Sequence, residues 1–200
     1  MDKIWQKHDE TMSCSRRQFM TVAGSSLAAI SLRKATATES VYRTPGAAPL
    51  MIDCQSHIFS RELFAFMEKR QTDPRVYTRD GITILKIGDW QRRIPPVYFD
   101  IDAKIEAMDA AGITMTALSI NDPGPDWFGE DGLKVAHILN NFIAGLVSKY
   151  PTRFFGLCVL PWQVVRAAEK ELDRCVHELG MKGLLLYTNF NGRFPDEPDY

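Results

Sequence analysis

The stretch Met51-Ile52-Asp53-Cys54-Gln55-Ser56-His57-Ile58-Phe59 decides the fold. An apolar start followed by alternation is the pattern of a β-strand, expected over residues 51–57. Side chains alternate along a strand, so Asp53, Gln55 and His57 are expected on one face, with Ile52, Cys54 and Ser56 on the other. Polar groups on one face of an apolar strand are costly if buried without partners. Residues two apart lie about 6–7 Å apart in Cα, so their side chains can converge on one cation beyond the strand's C-terminal end. The same spacing suits a hydrogen-bonded polar cluster that caps the strand. Spacing alone leaves both readings open.

Working outward, residues 60–70 read as a helix with Leu63, Phe64 and Met67 on one stripe. Residues 76–93 read as a β-hairpin turning at Arg79-Asp80-Gly81. A helix follows over 101–111, with Asp102 as its expected N-cap and Gly112 at its end. Strands are expected at 115–120, 154–160 and 183–187, alternating with helices at 133–149 and 164–179. Apolar strands separated by helices indicate an α/β fold with a parallel sheet covered on both faces. A doubly wound sheet and a (β/α)8 barrel both fit. No G-x-G-x-x-G follows the first strand, which weighs against a dinucleotide site. A barrel takes about 250 residues, so residues 51–200, with four strands, correspond to its N-terminal half. The hairpin is then an insertion after the first strand and helix.

The first fifty residues read as an address. Ser15-Arg16-Arg17-Gln18-Phe19-Met20 matches the twin-arginine pattern, residues 21–32 are mildly apolar, and Ala35-Thr36-Ala37 suits a cleavage site. The expected organisation is a twin-arginine signal peptide at 1–37, a flexible linker at 38–50 and a barrel domain at 51–200. It implies export by the twin-arginine translocase to a periplasmic or secreted location. With 24 Lys+Arg against 25 Asp+Glu, the chain carries no charge excess that would favour nucleic acid or anionic lipid. No apolar run reaches the roughly 18 residues of a membrane span. Cys14 falls in the leader. Cys54, Cys158 and Cys175 form no C-x-x-C pair and are expected as buried thiols rather than a disulfide framework.

The opening strand resembles the I-D-x-H-x-H start of the amidohydrolase superfamily. More narrowly, it is similar to the amidohydrolase-related branch that contains aminocarboxymuconate-semialdehyde decarboxylase. Further matching blocks are Met108-Asp109-Ala110-Ala111-Gly112-Ile113, Ala117-Leu118-Ser119, Asn140-Asn141, Tyr150-Pro151-Thr152-Arg153-Phe154 and Gly156-Leu157-Cys158-Val159-Leu160-Pro161. The last runs from Glu171 through Gly180 to Lys182-Gly183. The resemblance implies a TIM-like (β/α)8 barrel of the metal-dependent hydrolase type. It also implies one divalent metal, usually zinc, held by two histidines of the first strand, a histidine after the fifth and an aspartate after the eighth. Activated water or a substrate hydroxyl then serves C–C or C–N cleavage.

Two departures follow from that resemblance. Gln55 stands where the first metal-binding histidine belongs. An amide oxygen is a neutral, harder ligand, which shifts preference toward manganese or magnesium or costs the metal altogether. His57 keeps the second position, with Asp53 as its support. The fifth and eighth strands are expected beyond Tyr200, so the chain's own donors do not make a tight site.

Arg93 matches an arginine that in the decarboxylase binds a substrate carboxylate, a role for which a guanidinium fork is suited. Adjacent Arg92 can exchange roles with it. Asn121 and Asp122 follow the second parallel strand, Trp162 the third, and Asn189 and Asn191 the fourth, where βα loops line a barrel's mouth. His137 and His177 are expected as helix surface or packing residues. The expected activity is metal-dependent hydrolysis or non-oxidative decarboxylation of a small carboxylated substrate. The rivals are a non-catalytic binding barrel that lost its metal through Gln55, and an inactive fragment stabilised by homodimerisation.

Overall fold

The computed structural model describes residues 50–190 and 192–198. The stretch expected as a signal peptide and all but the last residue of the expected linker lie outside the described residues, as does Asn191. The described residues form one compact unit. Its elements are β1 (Ile52–Ile58), α1 (Arg61–Glu68), β2 (Arg75–Arg79), β3 (Ile82–Ile87), β4 (Trp90–Arg93), α2 (Ile101–Ala110), β5 (Met115–Ile120), α3 (Gly132–Lys149), β6 (Phe154–Cys158), α4 (Val165–His177) and β7 (Gly183–Leu184). Short 3-10 turns occupy Pro96–Phe99 and Pro125–Asp131. No helix among the described residues is long and apolar enough to cross a membrane.

The α/β layout with a parallel sheet is as expected from the alternation of apolar strands and helices. The main sheet runs β1-β5-β6-β7, parallel throughout. Each parallel strand lies outside the preceding one, and strand order never reverses among the described residues. A doubly wound sheet reverses its order at a switch point, so this progression disfavours that alternative. Leu118 and Ile120 of β5 sit in a core with Leu63 and Met67 of α1 and Val135, Leu139 and Ile143 of α3.

Capping chemistry sets the helix starts. Ser60 Oγ accepts from Leu63 N at 3.3 Å and opens α1. Asp100, not Asp102, caps α2, its Oδ1 accepting from Asp102 N and Ala103 N at 3.0 Å each. Asp102 lies inside the first turn, where its charge favours the positive end of the helix dipole.

Three expectations are corrected. The stretch expected as a hairpin is a three-stranded antiparallel meander, β2-β3-β4, because a second tight turn at Gly88-Asp89 adds a four-residue strand. Its first turn, Asp80-Gly81, has positive φ at both residues, as a two-residue hairpin loop requires. Cys54 is exposed rather than buried, since it lies on β1, which ends the sheet order. Finally, β1 does not alternate regularly. Its pairing with β5 runs Asp53↔Thr116 and then Ser56↔Leu118, so β1 carries one residue more than its partner over that interval.

Candidate active site

The extra residue in β1 governs what the C-terminal end of the sheet presents. Paired residues of adjacent parallel strands share a face, and Thr116 and Ser119 are three apart. Asp53, opposite Thr116, and His57, opposite Ser119, therefore belong to opposite faces. The one-face arrangement expected from alternation is corrected accordingly. Asp53 instead serves the bulge: its Oδ1 accepts from Gln55 N at 3.0 Å, supplying a partner to a backbone group in the irregular stretch.

His57 is half-buried and tied down from two sides. Its Nδ1 lies 2.7 Å from Ser119 Oγ, and that hydroxyl donates to Ser56 O at 3.3 Å. With that hydroxyl's one proton directed to Ser56 O, Ser119 accepts from Nδ1–H, the tautomer in which Nε2 keeps the lone pair of the neutral ring. Burial holds the imidazole's pKa below its usual value, aided by the Lys104 charge. A hydrogen bond to the Ile120 backbone and the Asp122 and Asp53 charges work the other way without reversing the direction. A neutral ring with a directed lone pair is what a metal ligand needs.

Lys104 of α2 was not expected here. Its Nζ donates to Ser56 Oγ at 2.5 Å and to His57 O at 3.2 Å, clamping the strand end from the helix side. Burial lowers its pKa, opposed by the Asp53 charge. The signal was present in sequence: Lys104 falls among Ile101, Ile105 and Met108, on the helix's inward stripe.

Gln55, His57, Asn121, Arg92, Tyr98 and Lys104 all line one cavity of about 290 Å³. The Arg92 guanidinium lies 5.1 Å over the Tyr98 ring and makes no ion pair among the described residues. The Gln55 side chain is exposed and makes no hydrogen bond among them. The structure thus brings Gln55, His57 and Asn121 to one cavity. It puts Arg92, not Arg93, beside them. Arg93 is exposed and lines a different cavity with Arg61 and Phe99. Asn189 lines a third cavity of about 300 Å³ with Asp122, Asp126, Trp127 and Tyr187, and its Oδ1 accepts from Gly192 N at 3.1 Å. There, burial and the Asp122 charge raise the Asp126 carboxyl and the Tyr187 phenol. Trp162 stacks on Phe190 at 4.9 Å and lines none of these cavities. His137 pairs with the buried Glu171 at 2.9 Å, and exposed His177 lies 3.5 Å from Asp173, so neither is near His57's cavity.

As a metal site the donor set is partial. His57 Nε2 and the Gln55 amide oxygen suit a divalent cation. Among the described residues, however, no group of three or more His, Cys, Asp and Glu is placed to hold one.

The Amidohydrolase family model matches residues 52–200, and the chain belongs to that family. It is 35% identical over 116 residues to 2-amino-3-carboxymuconate-6-semialdehyde decarboxylase of Dictyostelium discoideum, covering 56% of this chain and 32% of that protein. It is 39% identical over 87 residues to gamma-resorcylate decarboxylase of Polaromonas sp. (strain JS666 / ATCC BAA-500), covering 42% and 27%. Among solved structures it is similar to dihydroxybenzoic acid decarboxylase from Polaromonas sp. JS666 with bound manganese and the inhibitor 2-nitroresorcinol. That likeness has a TM-score of 0.51 and 29% identity over 70% of this chain and 38% of the other. The matched stretch is about a third of the length of these curated relatives.

Proposed function

We propose that this chain supplies the first-strand half of the active site of a non-oxidative carboxy-lyase acting on a small, carboxylated aromatic substrate. The observation that carries the reading is the shared cavity at the C-terminal end of the parallel sheet. It brings an oriented neutral imidazole, an amide oxygen and an unpaired guanidinium together. The relatives named above are decarboxylases, which favours C–C cleavage over hydrolysis. The one-directional strand order suits the opening half of a TIM-like barrel, whose chemistry sits at that end of the strands.

His57 and Gln55 would hold the divalent metal, together with a histidine and an aspartate from later barrel strands. Manganese is favoured over zinc by the harder Gln55 oxygen and by the manganese in the Polaromonas structure. The cation, when bound, supplies charge neutralisation to the substrate's oxygens. The protein's own part is positional. Ser119 fixes the His57 ring, Lys104 fixes the backbone on which it stands, and Arg92 forks a carboxylate. The twin-arginine pattern at residues 15–20 supports export by that translocase, and a reporter fused behind residue 50 tests that by its location.

The experiment is carbon dioxide release from a panel of hydroxybenzoates by the full-length form loaded with manganese. Release that is lost in His57→Ala supports the assignment. Absence of both bound metal and release would sink it. The outcome would then favour a non-catalytic binding barrel, the reading that the exposed, unbonded Gln55 recommends.

A further inference from the structure

A cavity of about 510 Å³, larger than the one around His57, lies apart from it. It lies between the start of α1, the β2–β3 turn and the segment that follows β4. It is lined by Ile82, Ile94, Pro96 and Phe99 and by two arginines, Arg61 and Arg93. Arg61 is stacked 4.8 Å from the centre of the Phe99 ring. Neither arginine forms an ion pair or donates a side-chain hydrogen bond among the described residues, whereas Arg70, Arg75, Arg153 and Arg174 are each ion-paired. An apolar hollow of this size falls within the range used by small ligands, which are oriented by a few polar groups. Here the polar groups are two cations that no neighbouring carboxylate neutralises.

We infer that this cavity is a second ligand site, separate from the His57 cavity, for an aromatic carboxylate. The apolar walls and the Phe99 ring would take the planar body, and Arg61 and Arg93 would take the carboxylate through paired, charge-assisted hydrogen bonds. The chemistry is that of the substrate class proposed above, but the site stands on its own residues and does not rest on that proposal. It also gives Arg93 a role in carboxylate recognition at a place other than the one its position in the sequence suggests. A ligand of this size held by so few groups binds with a dissociation constant on the order of millimolar.

The test is titration with benzoate, followed by NMR shift changes at Phe99 and Ile82. Arg61→Gln and Arg93→Gln are each expected to weaken binding about tenfold, and the double variant to abolish it. His57→Ala is expected to leave it unchanged. Because Arg61 also packs on Phe99, a second variant fills the hollow: Thr83→Trp is expected to block binding with both arginines in place. A circular-dichroism melt confirms that each variant folds. Unchanged binding in the double variant, loss in His57→Ala, or displacement by equimolar inorganic phosphate would overturn the assignment. Absence of hydroxybenzoate turnover would overturn only the proposed activity, since benzoate binding here is independent of it.

Discussion

Replacing Ser119 with alanine removes one hydroxyl and two hydrogen bonds, to His57 Nδ1 at 2.7 Å and to Ser56 O at 3.3 Å. Ser119 is 1% exposed, so water does not readily replace it. At roughly 0.5–1.5 kcal/mol net for each bond, the stability loss is about 1–3 kcal/mol. The larger consequence is functional. Without Ser119 as acceptor, the imidazole loses what fixes its tautomer and its rotation. Loss of such a partner costs about 10–100-fold in metal affinity. That is about 1.4–2.8 kcal/mol of binding free energy. The assay is a calorimetric titration of the full-length form with manganese, read beside nitrogen-15 NMR of His57. Ser119→Ala should raise the dissociation constant by that factor and mix the ring's tautomers, while Ser119→Thr should retain both properties. An Ser119→Ala variant that binds manganese as the parent does, with His57 still protonated only at Nδ1, would refute the argument.

Three further outcomes are expected. Arg92→Gln should raise KM about tenfold for a carboxylated substrate, whereas Arg93→Gln, facing another cavity, should leave KM within about twofold; steady-state kinetics separate them. Gly156→Ala places a Cβ 2.4 Å from Met181 Sδ and 3.0 Å from Ile143 Cγ2. Overpacking of that kind costs about 1–3 kcal/mol, seen as a lowered urea midpoint that Met181→Ala partly restores. Burial acts to raise the Glu171 carboxyl, but hydrogen bonds from Arg174 and Asn140 and the charges of His137 and Arg174 hold it below its usual value. A depressed carboxyl stabilises the fold above its unfolded pKa, about 4.3, and that contribution is lost as pH falls through the folded value. Urea midpoints between pH 7 and pH 3 should therefore fall more steeply in the parent than in Glu171→Gln.

What was legible in sequence had a period or a cap behind it. The parallel strands and their helices announced themselves through apolar runs of different length, and the end of α2 through Gly112, while the Ser60 cap went unread and the α2 cap was placed at Asp102 rather than Asp100. The strand ends were less legible: β7 holds only Gly183–Leu184, where the sequence suggests pairing through 187. Hydrogen bonding there depends on a neighbour that apolar content does not reveal. Arg92 and Arg93 show the same limit at the site. Adjacent residues of a strand point to opposite faces, so choosing between them requires the register Leu85↔Arg92 and Ile84↔Arg93, which composition does not carry. Lys104 was readable in principle, because a lysine on an inward helical stripe needs a polar partner, and its partners lie 47 and 48 residues earlier in the chain.

The least legible feature, the extra residue of β1, is the one on which the site turns. Without it, the Asp53↔Thr116 register would continue as Gln55↔Leu118, Ser56↔Ser119 and His57↔Ile120. His57 would then share the face of Leu118 and Ile120, both buried in the core, where an imidazole lone pair has no ligand to meet. The bulge shifts the phase by one, so His57 reaches Ser119 and Ser56 reaches Lys104. Two consecutive side chains thereby hold the strand end from opposite faces. The same shift leaves Gln55 in the irregular stretch, exposed and with its side chain unbonded. Gln55 is therefore the position of the strand where ligand type can change without disturbing the ladder, the core or the His57 anchor. A glutamine can stand there, and Gln55→His would break no existing hydrogen bond.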